Sequence, residues 1–414
     1  MTAWGIGANI MKVAIAPDSF KGSMTALEAA KCIERGLKRA LFGVTCRTIP
    51  MADGGEGTVR AIVDATAGRL IWRTVQDPLG RKIRSTFGIS GDGTTAIIEM
   101  AAASGLALLK PQERNPMKTT TFGTGELIRH ALSLNVKRIL IGIGGSATND
   151  GGMGAAQALG ARFLDAHGSV IGSGGGLLKK LDRIEMSGLD PRLKHVKVEV
   201  ACDVNNPLIG ANGAAKVYAP QKGATVAMVR ELDAGLRHFA AIIKRDVGLD
   251  IATVPGSGAA GGLGGGLMAF LKGKLRPGID IVIDSVKLVQ RIKDCDLVIT
   301  GEGRMDNQTA FGKTPHGVAR VAKQAGLPVI AICGSLGKNP RIVHTIGIDA
   351  FFSALEEPVE EEDLPKRGPA MLENCAEQVG RLLAISPIKK VLKVRKTVAK
   401  RQAMQSWPLR FGSR

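Results

Sequence analysis

Residues 12–57 read KVAIAPDSFKGSMTALEAAKCIERGLKRALFGVTCRTIPMADGGEG. A short apolar run over 13–16 comes first, followed by apolar or small residues at helical spacing over 25–41 and a second short run over 45–50. A strand, a helix and a second strand in that order are typical of α/β layers around a parallel sheet. Acidic residues, lysine and glycine follow both runs, so residues able to do chemistry lie directly after predicted strands.

The same rhythm returns near the other end of the chain. Three predicted strands alternate there with two predicted helices, in the order strand 297–300, helix 316–325, strand 328–333, strand 350–354 and helix 370–383. The middle of the chain differs, because alternating segments over 71–75 and 82–89 flank the turn signal Asp77-Pro-Leu-Gly80 and indicate an antiparallel hairpin.

We therefore predict an α/β protein whose two ends build one domain. Residues 11–72 and 288–385 are expected to form a discontinuous Rossmann- or flavodoxin-like domain, with an inserted mixed α/β domain over 73–287. Residues 386–414 form a basic C-terminal tail and residues 1–10 a short N-terminal extension.

The formal net charge of +19 first suggests a nucleic-acid or anionic-membrane partner. Nine Lys and Arg residues lie within 387–414 without any acidic residue, however, and removing them lowers the charge to +10. Aromatic residues make up 4% of the chain, which argues against a base-stacking surface. We predict no nucleic-acid partner and no stable membrane association, and expect an enzyme for anionic substrates. The tail is either a solvated appendage or a basic amphipathic helix.

The cysteines and the N-terminus indicate a cytoplasmic protein. The six cysteines are scattered without any CxxC pair, which is typical of reduced, mostly buried thiols. The first residues lack the basic segment of a signal peptide, and Lys12 interrupts their apolar stretch. No apolar run reaches the roughly 18 residues that a membrane helix needs.

Carboxylates and glycines recur after the predicted strands. Because ligands of open α/β sheets bind at the carboxyl ends of the strands, these loops are candidate sites. The loops are Asp18 to Lys21, Asp53-Gly54-Gly55-Glu-Gly57, Gly301-Glu302-Gly-Arg304-Met-Asp306 and the segment around Asp203. Paired acids near a flexible backbone suit metal binding or proton abstraction, although each loop is also compatible with a solvated turn or a helix cap.

The stretch Gly142-Ile-Gly144-Gly145-Ser146-Ala-Thr148-Asn149-Asp150 follows another predicted strand and fits GxGxxA. Three interpretations stay open: a phosphate or substrate loop, a structural turn, and a dinucleotide site.

Two further glycine-bearing stretches have weaker signals. Residues 307–314 narrowly fail the P-loop pattern, because Asn307 stands where glycine is required, yet Lys313 remains a candidate phosphate contact. The tract Gly261-Gly262-Leu-Gly-Gly-Gly266 is expected either to cover a nucleotide or to pack closely as a helix surface.

Taken together, these segments resemble the bacterial glycerate kinase family over residues 11–385. The stretches that carry the resemblance are KVAIAPDSFK (12–21), MADGGEGT (51–58), IEMAAASG (98–105), GTGEL (123–127), IGIGGSATNDGG (141–152), ACD (201–203), PQKG (220–223), GAAGG (258–262), TGEGR (300–304) and GK (312–313). The resemblance implies ATP-dependent phosphorylation of glycerate with Mg²⁺, usually at the 2-hydroxyl group, with phosphorylation at the 3-hydroxyl group left open.

On this basis we expect the loops to share one anionic pocket and assign roles to their residues. The predicted catalytic residues are Asp18, Lys21, Asp203 and Arg304, and the predicted metal ligands are Asp150, Asp203 and Glu302. The predicted substrate and phosphate contacts are Asp53, Gly54, Gly55, Gly144, Gly145, Ser146, Thr148, Asn149, Gly261, Gly262 and Lys313. An NAD-dependent hydroxy-acid oxidoreductase is the alternative function, and the sequence leaves a homodimer open.

Overall fold

The computed structural model describes residues 11–385. Fifteen strands occur in this part of the chain. They are β1 (Lys12–Pro17), β2 (Thr45–Thr48), β3 (Arg69–Gln76), β4 (Lys82–Ile89), β5 (Thr95–Glu99), β6 (Arg138–Gly142), β7 (Arg162–Leu164), β8 (Arg183–Glu185), β9 (Lys197–Ala201), β10 (Lys274–Arg276), β11 (Leu297–Gly301), β12 (Arg304–Met305), β13 (Val329–Cys333), β14 (Ser335–Leu336) and β15 (Ala350–Ser353).

Twelve α-helices connect these strands within residues 11–385. They are α1 (Ala26–Ala40), α2 (Thr58–Thr66), α3 (Ala101–Ser104), α4 (Phe122–Leu132), α5 (Met153–Ala158), α6 (Ala214–Tyr218), α7 (Val226–Asp246), α8 (Leu263–Leu271), α9 (Gly278–Ser285), α10 (Leu288–Ile292), α11 (Thr314–Gln324) and α12 (Leu364–Ala384).

The described part of the chain divides into two compact units, of which the first comprises residues 11–51 and 283–385. Its main sheet has the strand order β15-β13-β11-β1-β2, and every pair in it is parallel. When only the five strands of this sheet are numbered along the chain, their order is 2-1-3-4-5, as in doubly wound flavodoxin-like sheets. The central strands are buried on both faces and rich in aliphatic residues, as a covered parallel sheet requires.

Helices α1 and α12 pack together in the first unit. A capping box starts α1, because Thr25 Oγ1 accepts from Glu28 N at 3.3 Å and a Glu28 carboxylate oxygen accepts from Thr25 N at 2.8 Å. Gly36 allows the close approach, since a Cβ at that position would lie 2.2 Å from the Glu373 carbonyl oxygen. The sequence pattern over 25–41 thus encodes both the start of α1 and its buried face.

The second unit comprises Ala52–Val282 and has a mixed sheet. Its strand order is β10-β9-β6-β5-β4-β3, in which β4 pairs antiparallel with both β3 and β5 while the remaining neighbours are parallel. The β3–β4 hairpin contains the turn that the sequence predicts at residues 77–80. A large cluster of buried aliphatic and phenylalanine side chains fills the core of this unit.

The first boundary between the units differs from the sequence prediction of residue 72. Residues 52–72 belong to the second unit, because β3 pairs along its whole length with β4, and α2 packs against β4 and β5. The predicted strand and helix pattern continues across this junction without interruption, so periodicity alone does not mark it.

None of the helices within residues 11–385 combines the length and the hydropathy needed to cross a membrane. The predicted extension over residues 1–10 and the predicted basic tail over 386–414 lie outside the described residues.

Candidate active site

The second unit contains a cavity of about 620 Å³, a size typical of small-molecule sites. It lies at the carboxyl ends of β5 and β6, where Glu99 and Gly142 belong to its lining. Four of the predicted contact residues also line it, namely Gly54, Gly55, Gly144 and Gly145. The glycine loops thus line a cavity at the edge of the sheet where ligands of parallel strands bind.

Close backbone packing brings two predicted carboxylates into one neighbourhood. A Cβ on Gly54 would lie 2.6 Å from the Cα of Gly278, and a Cβ on Gly278 would lie 2.0 Å from the carbonyl oxygen of Asp53. Gly278 N in turn donates to Asp203 Oδ1 at 2.8 Å. Two glycines therefore let the segments that carry Asp53 and Asp203 meet.

The Asp203 carboxyl lies in an environment that disfavours its charged form. Its pKa is raised because the surrounding protein removes water from the carboxyl group, and the negative charges of Asp53 and Asp280 raise it further. The hydrogen bond from Gly278 N opposes this effect. The residue as a whole is exposed, so its carboxylate is partly desolvated while remaining accessible, as a general base requires.

Glu99 is a cavity residue that the sequence analysis did not single out. Its Oε1 accepts a hydrogen bond from Val59 N at 2.8 Å, in the first turn of α2. Burial raises the pKa of this carboxyl, and backbone donors at residues 57–59 lower it. Its position at the end of β5 is the signal in the sequence, because ligands of parallel sheets bind at the carboxyl ends of strands.

The loop after β6 has an open side and a buried side. Gly144 and Gly145 face the cavity, whereas Ser146 and Thr148 are buried and hydrogen-bond to each other at 3.1 Å. Lys222 is 2% exposed and donates to the Thr148 carbonyl oxygen at 2.6 Å. Burial lowers the pKa of this amine to about 7. Ser146 and Thr148 therefore support the loop rather than line the cavity.

Asn149 is fully buried, and neither Oδ1 nor Nδ2 has a hydrogen-bond partner within residues 11–385. A buried, unpaired amide costs free energy unless water or a ligand completes it. The predicted role of Asn149 as a ligand contact stays a prediction, and the two unpaired polar atoms are compatible with it.

The carboxylate of Asp150 is buried and bound by several hydrogen-bond donors of the second unit. Its carboxylate is 0% exposed and accepts from Thr121 N at 2.8 Å, Thr121 Oγ1 at 2.9 Å and Gly152 N at 3.2 Å. Gly154 N donates to it at 3.3 Å as well. The carboxylate therefore ties the loop to the starts of α4 and α5, and its predicted role as a metal ligand stays a prediction.

Gly261 and Gly262 pack closely against neighbouring backbone and side chains, and their predicted contact with a nucleotide or substrate stays a prediction. Both are buried, and a Cβ on Gly261 would lie 2.0 Å from the Thr148 carbonyl oxygen. A Cβ on Gly262 would lie 2.9 Å from the Cα of Gly151. The alternative interpretation of this tract, a close packing surface, describes what the structure shows.

The first unit holds a separate cluster after β1 and β11. Asp18 Oδ2 accepts from Thr314 Oγ1 at 2.5 Å, and Glu302 Oε1 accepts from Thr309 Oγ1 at 2.5 Å. Lys313 Nζ lies 3.8 Å from Glu302 Oε2. Burial raises the pKa of Glu302 to about 7, and the charge of Asp18 adds to that effect. The structure thus brings together Asp18, Glu302 and Lys313, as the sequence predicts for neighbouring strand ends.

Lys21 and Arg304 lie close in the chain to this cluster but face other surroundings. Lys21 is exposed and lines a mainly apolar cavity of about 90 Å³ together with Phe20, Met24 and Gly303. Arg304 is exposed in β12, which pairs with β14. The expectation that all these loops share one anionic pocket stays a prediction.

Among the described residues, the carboxylates could bind Mg²⁺ only as a set of one or two protein ligands. Within residues 11–385, no group of three or more His, Cys, Asp or Glu side chains is arranged to hold a metal ion. Mg²⁺ at phosphoryl-transfer sites is usually held by one or two carboxylates, with substrate phosphates and water completing its shell. The neighbouring carboxylates of Asp53 and Asp203 fit that donor set.

The dinucleotide interpretation of GxGxxA is not supported by the local fold. In that motif the glycine turn leads directly into a helix whose N-terminus faces the pyrophosphate. Here β6 ends at Gly142 and α5 starts only at Met153 and spans 6 residues. The intervening loop is instead fixed by Lys222 and by a hydrogen bond from Ala147 N to the Ser104 carbonyl oxygen.

The chain is similar to known proteins along most of its length. The model of the glycerate kinase family matches residues 13–384. A glycerate kinase from Halalkalibacterium halodurans is 54% identical over 367 residues, which cover 89% of this chain and 97% of the relative. A glycerate 2-kinase from Escherichia coli K12 is 54% identical over 345 residues, which cover 83% and 91% of the two chains.

A solved structure is also similar. The crystal structure of glycerate kinase 2 from Salmonella typhimurium LT2 is 50% identical and covers 91% of this chain and 98% of its own chain, with a TM-score of 0.85. None of the relatives named here is described as an oxidoreductase.

Proposed function

The chain belongs to the glycerate kinase family, and we propose that it transfers the γ-phosphoryl group of ATP to the 2-hydroxyl group of D-glycerate. The observation that carries this proposal is the 54% identity to glycerate kinases along nearly their whole length. The relative described as a glycerate 2-kinase favours the 2-hydroxyl group over the 3-hydroxyl group. We also propose a cytoplasmic location, which the scattered, unpaired cysteines support.

Phosphoryl transfer needs positioning and charge neutralisation more than covalent chemistry by the protein. Of the four glycines that line the cavity of the second unit, Gly55 already donates its N–H to Asp53 Oδ1 at 3.0 Å, and the backbone amides of Gly54, Gly144 and Gly145 are proposed to bind the oxygens of an anionic substrate. Asp203 is proposed as the group that accepts the proton of the substrate hydroxyl, because its raised pKa makes it a better base than an ordinary aspartate.

Asp53 is proposed to hold Mg²⁺ beside that base, together with phosphate oxygens and water. When bound, Mg²⁺ supplies positive charge that neutralises the phosphates. Lys21 and Lys313 are proposed as phosphate contacts in the first unit, since both carry an ammonium group that reaches the protein surface. Their roles are independent of the assignments in the second unit and are tested separately.

The function is tested with an ADP-release assay on D-glycerate, ATP and Mg²⁺, followed by ³¹P NMR of the product. We expect 2-phosphoglycerate, and 3-phosphoglycerate would overturn the assigned position. NADH formation from glycerate without ATP would instead support the oxidoreductase alternative.

The site is tested by Asp203→Asn and Lys21→Ala, with Asp250→Asn as control because Asp250 pairs with Lys244 at the surface. We expect Asp203→Asn to lower kcat by about 10²-fold or more, the usual contribution of a general base. Lys21→Ala should mainly raise KM for ATP. If both variants kept the full kcat/KM of the unaltered protein, the assigned site would be wrong.

A further inference from the structure

Arg114 lines the cavity of the second unit, and nothing in the sequence pattern had marked it. The residue is half-buried, and its Nε atom is buried without a hydrogen-bond partner. Within residues 11–385 its guanidinium also forms no ion pair. Because desolvating a cation without an anionic partner costs free energy, such a group next to a cavity indicates an anionic ligand.

The carboxylates near Arg114 are engaged elsewhere or exposed. Glu113, its neighbour in the chain, accepts from Arg81 Nη1 at 2.6 Å and from Lys110 N at 3.0 Å. Glu99 accepts from the first turn of α2, and Glu56 is exposed at the rim. Among the described residues, no carboxylate pairs with the Arg114 guanidinium in this cavity. A bound ligand therefore has to supply the anionic acceptor.

The backbone beneath this guanidinium is held in place. Arg114 directly follows a short 3₁₀ helix, Pro111–Glu113. On its other side, Gly223 has φ +90°, and a Cβ there would lie 2.3 Å from the Arg114 carbonyl oxygen. The side chain thus starts from a fixed point, which lowers the entropy lost when a ligand binds.

The charges around the cavity favour an anion with a single charge. One guanidinium faces a lining that also contains the carboxyl groups of Glu56 and Glu99. Arg114 is the one Lys or Arg among these lining residues, so it can pair with one carboxylate but cannot neutralise the three or four negative charges of a triphosphate. Arg also matches a carboxylate geometrically, because Nε and one Nη can donate in parallel to its two oxygens.

We propose that Arg114 binds the carboxylate of the hydroxy-acid substrate and so selects an acid over its uncharged amide or a polyol. This inference deepens the proposed function and rests on it for the identity of the acid. Arg114 is then a substrate-binding residue, and the amides of Gly144 and Gly145 are left for the remaining oxygens of the ligand.

The kinetic test compares the unaltered chain with Arg114→Met and Arg114→Lys. The matched control is Arg162→Met, which removes an exposed guanidinium paired with Glu185 in the same unit. Loss of a charge-assisted, bidentate contact predicts a rise of about 10- to 100-fold in KM for D-glycerate. The KM for ATP should stay within about twofold, and Arg114→Lys should restore part of the loss. A larger effect on KM for ATP, or no effect on either KM, would overturn the inference.

A second measurement uses the unaltered full-length chain, so it does not depend on the folding of any variant. Phenylglyoxal modification of Arg114 and Arg162 is followed by peptide mass spectrometry, with D-glycerate, D-glyceramide or ATP present. We expect D-glycerate alone to slow modification of Arg114, and Arg162 to react equally in all samples. Protection by ATP alone, equal protection by the amide, or no protection would contradict the carboxylate assignment. Protection by D-glycerate without any ADP release would instead count against the proposed function.

Discussion

Glu302 is buried, and its Oε2 lies 3.8 Å from Lys313 Nζ. That separation is too long for a hydrogen-bonded ion pair, so desolvation dominates and raises the pKa to about 7. The neighbouring charge of Asp18 acts in the same direction. Near neutral pH, this carboxyl is therefore protonated in a substantial fraction of the folded molecules.

This raised pKa predicts a pH-dependent loss of stability. Between the ordinary glutamate pKa of about 4.5 and about 7, the unfolded chain releases the proton while the folded chain keeps it. The stabilisation is therefore complete below the lower value and is lost as the pH rises through the upper one. Relative to Glu302→Gln, we expect the unaltered chain to lose about 2 to 3 kcal/mol of unfolding free energy between pH 4.5 and 8.

The measurement is urea unfolding of both chains across this pH range, in EDTA so that bound metal does not contribute. Glu357→Gln serves as control, because Glu357 is exposed in the same unit and pairs with Arg367. Parallel stability curves for the unaltered chain and Glu302→Gln would show that burial does not govern this carboxyl.

At the level of single residues, the sequence predicts most directly those functional residues that follow a strand. Asp203, Gly144 and Gly145 were found in this way, because parallel strands end at one edge of a sheet. Arg114 was not, because it follows a 3₁₀ helix, and Lys222, which lies within one, entered only as part of the stretch PQKG (220–223). Their importance comes from burial and from the absence or presence of partners, which no local pattern encodes.

At the scale of elements, the segment from Gly261 into α8 shows why a glycine tract is ambiguous in sequence. A flexible loop for phosphate and a tight packing surface need the same residue, because both require backbone without a Cβ. The structure separates the two uses. Gly144 and Gly145 line a cavity, whereas Gly261 is buried against the loop that carries Thr148.

We predict that Gly261→Ala destabilises the second unit. Its φ is +68°, and the added Cβ would lie 2.0 Å from a backbone oxygen that cannot move independently. Gly93→Ala is the matched control, since Gly93 has φ +73° and nothing within 4 Å of its added Cβ. Both variants bear the left-handed strain of about 1 to 2 kcal/mol. Gly261→Ala should lose about 2 kcal/mol more from steric overlap.

Thermal and urea unfolding of the two variants measure this difference directly. Equal destabilisation would mean that the segment around Gly261 relaxes without cost. The close packing would then not be a requirement of the fold, and the predicted contact role of Gly261 would regain support.

At the scale of the whole molecule, the class of fold is predictable and its boundary is not. Alternating strands and helices at both ends of the chain predict the parallel sheet, and Asp77-Pro-Leu-Gly80 predicts the hairpin. The junction after Met51 is set by the pairing of β3 with β4, which is a tertiary contact. A sequence read locally places that junction too late for this reason.

Residues 387–414 carry nine of the Lys and Arg residues but lie beyond the family match to residues 13–384. Every predicted site residue falls within that match. We therefore expect a chain ending at Ser386 to keep kcat/KM for D-glycerate within about twofold. The measurement is made at physiological ionic strength, where exposed charges are screened beyond about 8 Å. A full-length chain with the nine basic residues replaced by Gln is the matched control, because it separates charge from length. Loss of all activity in both chains would mean that catalysis needs the basic charges, and would favour a nucleic-acid or membrane partner. Loss in the truncated chain alone would assign the segment a role that is independent of its charge.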